Sequence, residues 1–62
     1  MAWLAVDKDG SEIVYGDKPY RYDWLGEWCC EIGVGLVYLP KGTIKKLIGK
    51  ELTWSDEPIE LK

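Results

Sequence analysis

The chain has 62 residues, among them four Trp, four Tyr and no Phe, and its net charge at pH 7 is −3. A chain of this length buries only roughly 60% of the surface that its unfolded form exposes, which predicts one small domain, residues 1–62, whose core depends on its large rings. The acidic balance, with a pI of 4.7, disfavours general attraction to polyphosphate or anionic lipid.

The N-terminal segment "AWLAVDKDGSEIVY" predicts a β-hairpin. Ala2 to Val6 and Glu12 to Tyr15 are rich in residues that favour strands. Between them, Asp7-Lys8-Asp9-Gly10 fits a type I turn followed by a residue of positive φ, a position that Gly10 occupies without steric strain. The segment "GDKP" that follows breaks the strand pattern because Pro cannot donate to a ladder.

The middle of the chain carries the densest aromatic stretch, "YRYDWLGEWCC". If residues 20–25 are extended, Tyr20, Tyr22 and Trp24 point to one side. Glu27 to Ile32 then predicts a third strand. Gly33-Val34-Gly35 favours a reversal into a fourth strand, Leu36 to Leu39, which would complete a meander.

The segment "GTIKKLIG" predicts a short helix. Thr43 is typical of a helix cap, and Gly49 stands where a helix end often needs positive φ. Ile44, Leu47 and Ile48 recur at the spacing that forms one apolar stripe. A helix of about two turns is marginal alone, so this stripe is expected to lie on the sheet. The final alternation, Ile59-Glu60-Leu61, predicts a last short strand.

These elements predict an α+β fold. It has a small antiparallel sheet of four or five strands in ββββαβ order, with one short helix packed on one face. The predicted core is Trp3, Ile13, Trp28, Leu36, Ile44, Leu47, Ile48 and Trp54, and Tyr15 and Tyr38 are also assigned to packing positions.

The adjacent pair Cys29 and Cys30 is predicted to be two free thiols. Neighbouring Cα atoms are about 3.8 Å apart, which is shorter than the roughly 4.4–6.8 Å of an unstrained disulfide. The chain has no His and no third Cys, so we predict no metal site and no cofactor.

The same lack of His argues against an enzyme. A general base near neutral pH would have to be a carboxylate or a lysine with a shifted pKa, and no phosphate-binding glycine motif or nucleophile motif is present. The acidic residues in the turns, Asp7 and Asp9 included, are predicted to be solvated. We therefore predict no catalytic residues.

The candidate binding residues are Tyr20, Arg21, Tyr22 and Trp24. They lie between a Pro-containing break and a Gly, and exposed Tyr, Trp and Arg dominate the energy of protein contacts. This predicts a protein-binding site. Plain packing of the same rings is the alternative.

A second candidate is the basic segment 41–50, whose lysines sum to +4, so that the other residues sum to −7 against the total of −3. We call these residues the lysine edge: Lys41, Lys45, Lys46 and Lys50. It fits a solvated helix face that complements the helix dipole, a guide toward an acidic protein surface, or a phosphate-contacting patch. The acidic remainder of the chain disfavours nucleic acid.

The segments "MAWLAVDKDGSE" and "LPKGTIKKLIGKELTWSDEPIEL" resemble a group of short uncharacterised proteins encoded in phage, prophage and mobile-element genomes. The resemblance implies a setting, the cytoplasm of a host cell, and not an activity. Small acidic phage proteins include inhibitors of host defence enzymes and transcription factors, and this class is favoured by analogy.

Together these features predict a non-catalytic protein-binding module that occupies a host protein surface. The alternatives are a nucleic-acid-binding protein that uses the lysine edge, and an accessory protein that forms homo-oligomers through open sheet edges. Apolar runs of four or five residues are far short of the ~20 that a membrane span needs, and no secretory signal is evident, so we expect a cytoplasmic protein without membrane contact.

Overall fold

The computed structural model describes residues 2–61, which form six strands and one helix. In chain order these are β1 (Ala2–Val6), β2 (Glu12–Tyr15), β3 (Tyr20–Tyr22), β4 (Glu27–Cys29), β5 (Leu36–Leu39), α1 (Thr43–Ile48) and β6 (Ile59–Leu61). The α+β class, the small antiparallel sheet and the single short helix are confirmed. Within residues 2–61, no helix is long and apolar enough to cross a bilayer.

The main sheet has four antiparallel strands in the order β5-β2-β1-β6. The predicted turn between β1 and β2 is confirmed, because Gly10 has φ 91° and its N–H donates to the Asp7 carbonyl at 2.9 Å. This turn sets the register that places Trp3 opposite Tyr15 and Ala5 opposite Ile13. Two residues of each strand therefore share one side of the sheet.

The pairing of the middle strands differs from the predicted meander. β4 is shorter than the predicted strand and pairs with β3 in a separate two-stranded sheet, whereas β5 pairs with β2. The physical reason is Trp28 in β4. Its ring is buried and its indole N–H donates to the Val6 carbonyl at 2.9 Å, which holds β4 over the main sheet instead of beside β5.

Two layers cover the sheet. The β3–β4 hairpin covers the side that we call the hairpin face, where the buried residues are Ala5, Ile13 and Tyr15 together with Trp28 of the hairpin. Helix α1 covers the opposite side, the helix face. There Leu4 and Val6 pack with Ile44 in a second cluster, with Val14, Leu39, Ile48, Leu52 and Leu61 at its margin.

Helix α1 is capped by a different residue from the one predicted. Gly42, with φ 92°, occupies the cap position, and the Thr43 hydroxyl donates to the Pro40 carbonyl at 2.6 Å. The Glu12 carboxylate of β2 accepts hydrogen bonds from the backbone N–H groups of Gly42 at 2.7 Å and Ile44 at 2.9 Å. A strand side chain thus supplies the acceptor that a helix start needs. The predicted C-terminal Gly49 is confirmed, with φ 79°.

The predicted core is confirmed only in part. Ile13, Trp28 and Ile44 are buried, and Trp3, Ile48 and Trp54 pack against the two clusters. Tyr15 is also buried, as predicted. Leu36, Tyr38 and Leu47 are exposed, so their core assignment was wrong. Leu36 and Tyr38 lie on the edge strand β5, which pairs with β2 on one side only, and Leu47 lies on the side of α1 that faces solvent.

Candidate protein-binding surface

The outward side of the β3–β4 hairpin presents the aromatic residues. The register pairs Tyr20 with Cys29, Arg21 with Trp28 and Tyr22 with Glu27. Trp28 is buried against the main sheet, so the alternation of side chains along a strand directs Tyr20 and Tyr22 to the opposite side. The ladder of the hairpin therefore holds the two tyrosines two positions apart on one side.

The turn at the end of the hairpin adds Trp24. The N–H groups of Leu25 and Gly26 donate to the Tyr22 carbonyl at 3.1 and 3.0 Å, and Gly26 has φ 68°. Exposed fractions are 53% for Tyr20, 41% for Tyr22 and 80% for Trp24. We call these three residues the aromatic surface.

Trp28 fixes the hairpin to the sheet from the other side. Besides the bond from its indole N–H to Val6, its backbone N–H donates to Asp7 Oδ1 at 3.0 Å, and its carbonyl accepts from the Tyr15 hydroxyl at 3.1 Å. Three bonds in different directions leave the strand little freedom to rotate. The ring also meets Trp54 edge to face, with centroids 5.7 Å apart.

Arg21 lies on the inner side of the hairpin and makes intramolecular contacts. Its guanidinium carbon lies 4.7 Å from the centroid of the Trp28 ring and 5.2 Å from that of Trp54. Its Nη2 donates to the carbonyls of Trp54 at 2.8 Å and Asp56 at 3.0 Å. The ion pair with Glu57, at 3.7 Å, adds little because the Glu57 carboxylate is largely exposed to solvent. Arg21 thereby joins the hairpin to residues 53–58.

Asp7 was predicted to be solvated, and this was wrong, because its side chain is buried beneath β4. Burial raises the pKa of its carboxyl, the hydrogen bond from the Trp28 backbone N–H acts in the opposite direction, and the charges of Asp9 and Glu27 raise the pKa further. The carboxylate is therefore a fixed acceptor at the joint between β1 and the hairpin.

The lysine edge is exposed at all four positions, Lys41, Lys45, Lys46 and Lys50. Lys45 and Lys46 lie in the last turn of α1, where positive charge complements the negative end of the dipole. Hydrogen bonds from Ser11, with a smaller contribution from the charge of Lys41, lower the pKa of Asp9. The lysines and the aromatic surface lie on different elements.

Cys29 and Cys30 are free thiols, as predicted. Cys30 Sγ donates to the Asp17 carbonyl at 3.4 Å, and partial burial raises the pKa of its thiol, which makes it a weaker nucleophile. Among residues 2–61, no three His, Cys, Asp or Glu side chains come together as a metal site. An open, shallow groove of about 300 Å³ lies beside Asp7 and Trp54.

Sequence reasoning missed the roles of Glu12 and Asp7. Glu12 lies 30 residues from Gly42, and Asp7 lies 21 residues from Trp28, so no local pattern links them. Asp7 had one usable signal, its position directly after a run of buried apolar residues in β1.

No family model matches the chain, and no curated protein and no solved structure matches it either.

Proposed function

We propose that this protein is a non-catalytic protein-binding module that holds a partner protein through the aromatic surface. The observation that carries this proposal is the 80% exposure of Trp24 in the turn of a hairpin that also carries two exposed tyrosines and is fixed to the main sheet through Trp28. A small domain needs most of its large aromatic rings for its core, so exposed rings are notable. Trp and Tyr are also among the residues that contribute most of the binding energy in protein interfaces.

The chemistry of the partner follows from the residues around the rings. Glu27 lies opposite Tyr22 in the ladder, and Asp23 precedes Trp24 in the turn, and both acidic residues are exposed. A partner that offers an apolar pocket with a basic or neutral rim complements this arrangement. A polyphosphate does not, because the acidic residues would repel it.

Arg21 has a positioning part in this proposal. Its guanidinium, which contacts the rings of both Trp28 and Trp54, holds the hairpin against residues 53–58 and so fixes the direction in which Tyr20 and Tyr22 point. Binding surfaces that are already rigid lose less conformational entropy when they bind. The lysine edge would act at longer range, by guiding an acidic region of the partner.

The resemblance to short phage and mobile-element proteins supports a host protein as the partner, in the cytoplasm of the host. Under this proposal the module acts by occupying a surface that the host protein needs, as inhibitors of defence enzymes or transcription factors do. The resemblance supports this setting by analogy alone.

Capture from a host lysate tests the proposal. The wild-type protein, a Tyr22→Ala/Trp24→Ala variant and a Leu47→Ala control are immobilised at equal density, and the captured proteins are identified by mass spectrometry. Leu47 is also an exposed apolar residue but lies on α1. We expect one captured protein that is lost with the double variant and retained with the control. Identical captured proteins from all three would overturn the proposal.

The lysine edge allows a direct comparison with the nucleic-acid alternative. Labelled single-stranded and duplex DNA are titrated at two salt concentrations, with a Lys45→Glu/Lys46→Glu variant as the control. We expect the wild-type protein and the variant to give the same result, with no DNA binding that depends on the two lysines. Binding with a steep salt dependence that is lost in the variant would favour nucleic acid over a protein partner.

A further inference from the structure

Strand β5 forms an edge of the main sheet, and its side chains are apolar. Leu36, Val37 and Tyr38 are exposed by 45%, 60% and 64%. Proteins usually protect an edge strand with a charged side chain, a Pro, a bulge or a covering element, because open backbone groups invite another strand. The four residues of β5 contain neither a charge nor a Pro.

The backbone groups that β5 offers can be read from its pairing with β2. The Gly16 N–H donates to the Gly35 carbonyl at 2.8 Å, which makes these opposite residues a hydrogen-bonded pair. Such pairs alternate with non-bonded pairs along an antiparallel ladder, so Leu36, opposite Tyr15, and Tyr38, opposite Ile13, are non-bonded. Their N–H and C=O groups therefore point to the open edge.

The side chains of β5 divide between the two faces of the sheet. Val37 lies opposite Val14 on the helix face, whereas Leu36 and Tyr38 lie opposite residues of the hairpin face. If a second copy pairs with β5 antiparallel about a two-fold axis perpendicular to the sheet, opposite residues must share a face. The axis must then pass through a residue and not between two.

An axis at Val37 places residues of the same face opposite each other. It also gives partners to the outward backbone groups of Leu36 and Tyr38. Leu36 then lies opposite Tyr38 of the second copy, and both pairs exchange two backbone hydrogen bonds, four in total. The two Val37 residues form the non-bonded central pair, with Cα atoms about 4.5 Å apart. An axis at Tyr38 would bring in Pro40, which lacks an N–H, and an axis at Leu36 would use the Val34 N–H, which already donates to Glu31.

Charge also favours a second copy. Residues 32–40 are uncharged, and the charges that flank them are Glu31 on one side and Lys41 on the other. Antiparallel pairing brings the acidic end of one stretch toward the basic end of the other, so the net charge of −3 does not oppose contact at this edge.

We infer that β5 is a self-association site, through which two copies form a continuous eight-stranded antiparallel sheet about an axis at Val37. Each exposed apolar side chain of β5 then meets one from the other copy, and Leu36 and Tyr38 gain backbone partners. Stable complexes bury roughly 1,200 Å² or more of surface, and an interface of four residues per copy is smaller than that. The dimer therefore exchanges with monomer.

The first test uses charge at the central pair. Sedimentation or light scattering is recorded up to about 1 mM protein for wild type, Val37→Lys, Val37→Glu, their equimolar mixture, and Trp24→Lys as the control. We expect a mass that rises from 7.1 kDa toward twice that value for wild type and the control. Each single Val37 variant stays monomeric, and the mixture dimerises because Lys faces Glu.

Several results would overturn the inference. These are a monomeric wild type at every concentration, dimers of Val37→Lys alone, or a mixture of the two charged variants that stays monomeric. An extended peptide that binds β5 while the protein itself stays monomeric would also overturn it. Binding of a captured protein by the aromatic surface is read out separately, so either idea can fail without the other.

The second test needs no variant and guards against unfolding by a charged residue. Amide hydrogen exchange is followed by NMR at low and high protein concentration. We expect the Leu36 and Tyr38 amides to become protected as concentration rises, because these are the two β5 amides that face the open edge. The Val37 and Leu39 amides, which face β2, are internal controls. Exchange at Leu36 and Tyr38 that is independent of concentration would contradict the dimer.

Discussion

The helix that covers one face of the sheet packs by aliphatic contact, whereas the hairpin on the other face is held by rings and directional hydrogen bonds. On the helix face, Leu4, Val6 and Ile44 form the buried cluster. On the hairpin face, Trp28 alone makes hydrogen bonds with Val6 and Tyr15 of the main sheet and with Asp7 directly after β1, and its ring contacts the Arg21 guanidinium.

The difference has a physical meaning. Burial of aliphatic surface is non-directional and roughly proportional to area, so it stabilises the helix without fixing its angle closely. Hydrogen bonds weaken steeply when their angles change, so the hairpin has one orientation. The layer with the strict orientation is the one that carries the aromatic surface, and this is the arrangement expected of a binding element on a rigid support.

Trp28→Ala should have the largest effect. Loss of a buried Trp ring typically costs about 3–5 kcal/mol, and a 62-residue domain has only about 3–9 kcal/mol in total. We expect a largely unfolded protein by circular dichroism and urea denaturation. Trp24→Ala removes the same ring from an exposed site and should change the free energy of unfolding by no more than about 0.5 kcal/mol. Equal losses would contradict the assignment of the two rings.

Ile44→Ala should have the next largest effect, because it opens a cavity in the aliphatic cluster. We expect a loss of about 3 kcal/mol in the free energy of unfolding, measured by urea denaturation. Leu47→Ala on the same helix is the control, since Leu47 is 55% exposed. If Leu47→Ala proved as costly, helix α1 would have to lie in a different rotation on the sheet.

Glu12→Gln tests the bond between the sheet and the helix start. The amide group of Gln cannot accept from both Gly42 and Ile44, so one N–H loses its partner. We expect a loss of about 1 kcal/mol in thermal or urea unfolding, typical of a removed helix cap. Glu51→Gln, at an exposed position, should leave stability unchanged. An unaffected Glu12→Gln variant would argue that the cap does not contribute.

The smallest expected effect is the contribution of Asp7 to the pH dependence of the free energy of unfolding. Because burial raises the folded pKa of Asp7 above its unfolded value, the folded state binds more protons between the two values, and stability contributed by this group falls as pH rises through the folded pKa. Asp7→Asn keeps an acceptor for Trp28 without the charge. The stability of Asp7→Asn relative to wild type should therefore rise as pH increases from about 4 to 7.

Asp9→Asn is the matched control for that measurement. The pKa of Asp9 is lowered in the folded state, mainly by hydrogen bonds from Ser11, so its contribution is present at neutral pH and is lost as pH falls. The two variants should therefore differ in the sign of their pH dependence. The same sign in both would show that Asp7 is not held in a buried site.

The local elements could be predicted from the sequence, and the long-range pairing could not. Gly10 and Gly49 stand at positions where turn and helix geometry need positive φ, so the first hairpin and the end of the helix could be predicted from the local sequence. The segment "LVYL" correctly predicted the strand β5 but not its exposure, because a continuous run of apolar residues looks the same in a central strand and at an edge.

The sequence predicted one binding site of four residues, and in the structure its three rings are exposed whereas Arg21 makes intramolecular contacts. Tyr20, Tyr22 and Trp24 were assigned together with Arg21, yet alternation alone already separates Arg21 from the tyrosines. The sequence gave no sign that Trp54, 33 residues from Arg21, would contact its guanidinium. The hydrogen bond from Arg21 Nη2 to the Trp54 carbonyl holds the side chain on the inner side of the hairpin. Contacts at such separation have no signature in a local pattern.

The hairpin lies on one face of the main sheet, and this has a consequence for targets with repeated subunits. A two-fold axis perpendicular to the sheet would leave both hairpins of a pair on the same side, at a spacing set by the width of the strands between them. Filaments or rings whose sites repeat at that spacing would then be held far more tightly than a lone subunit, since the second site binds at high effective concentration.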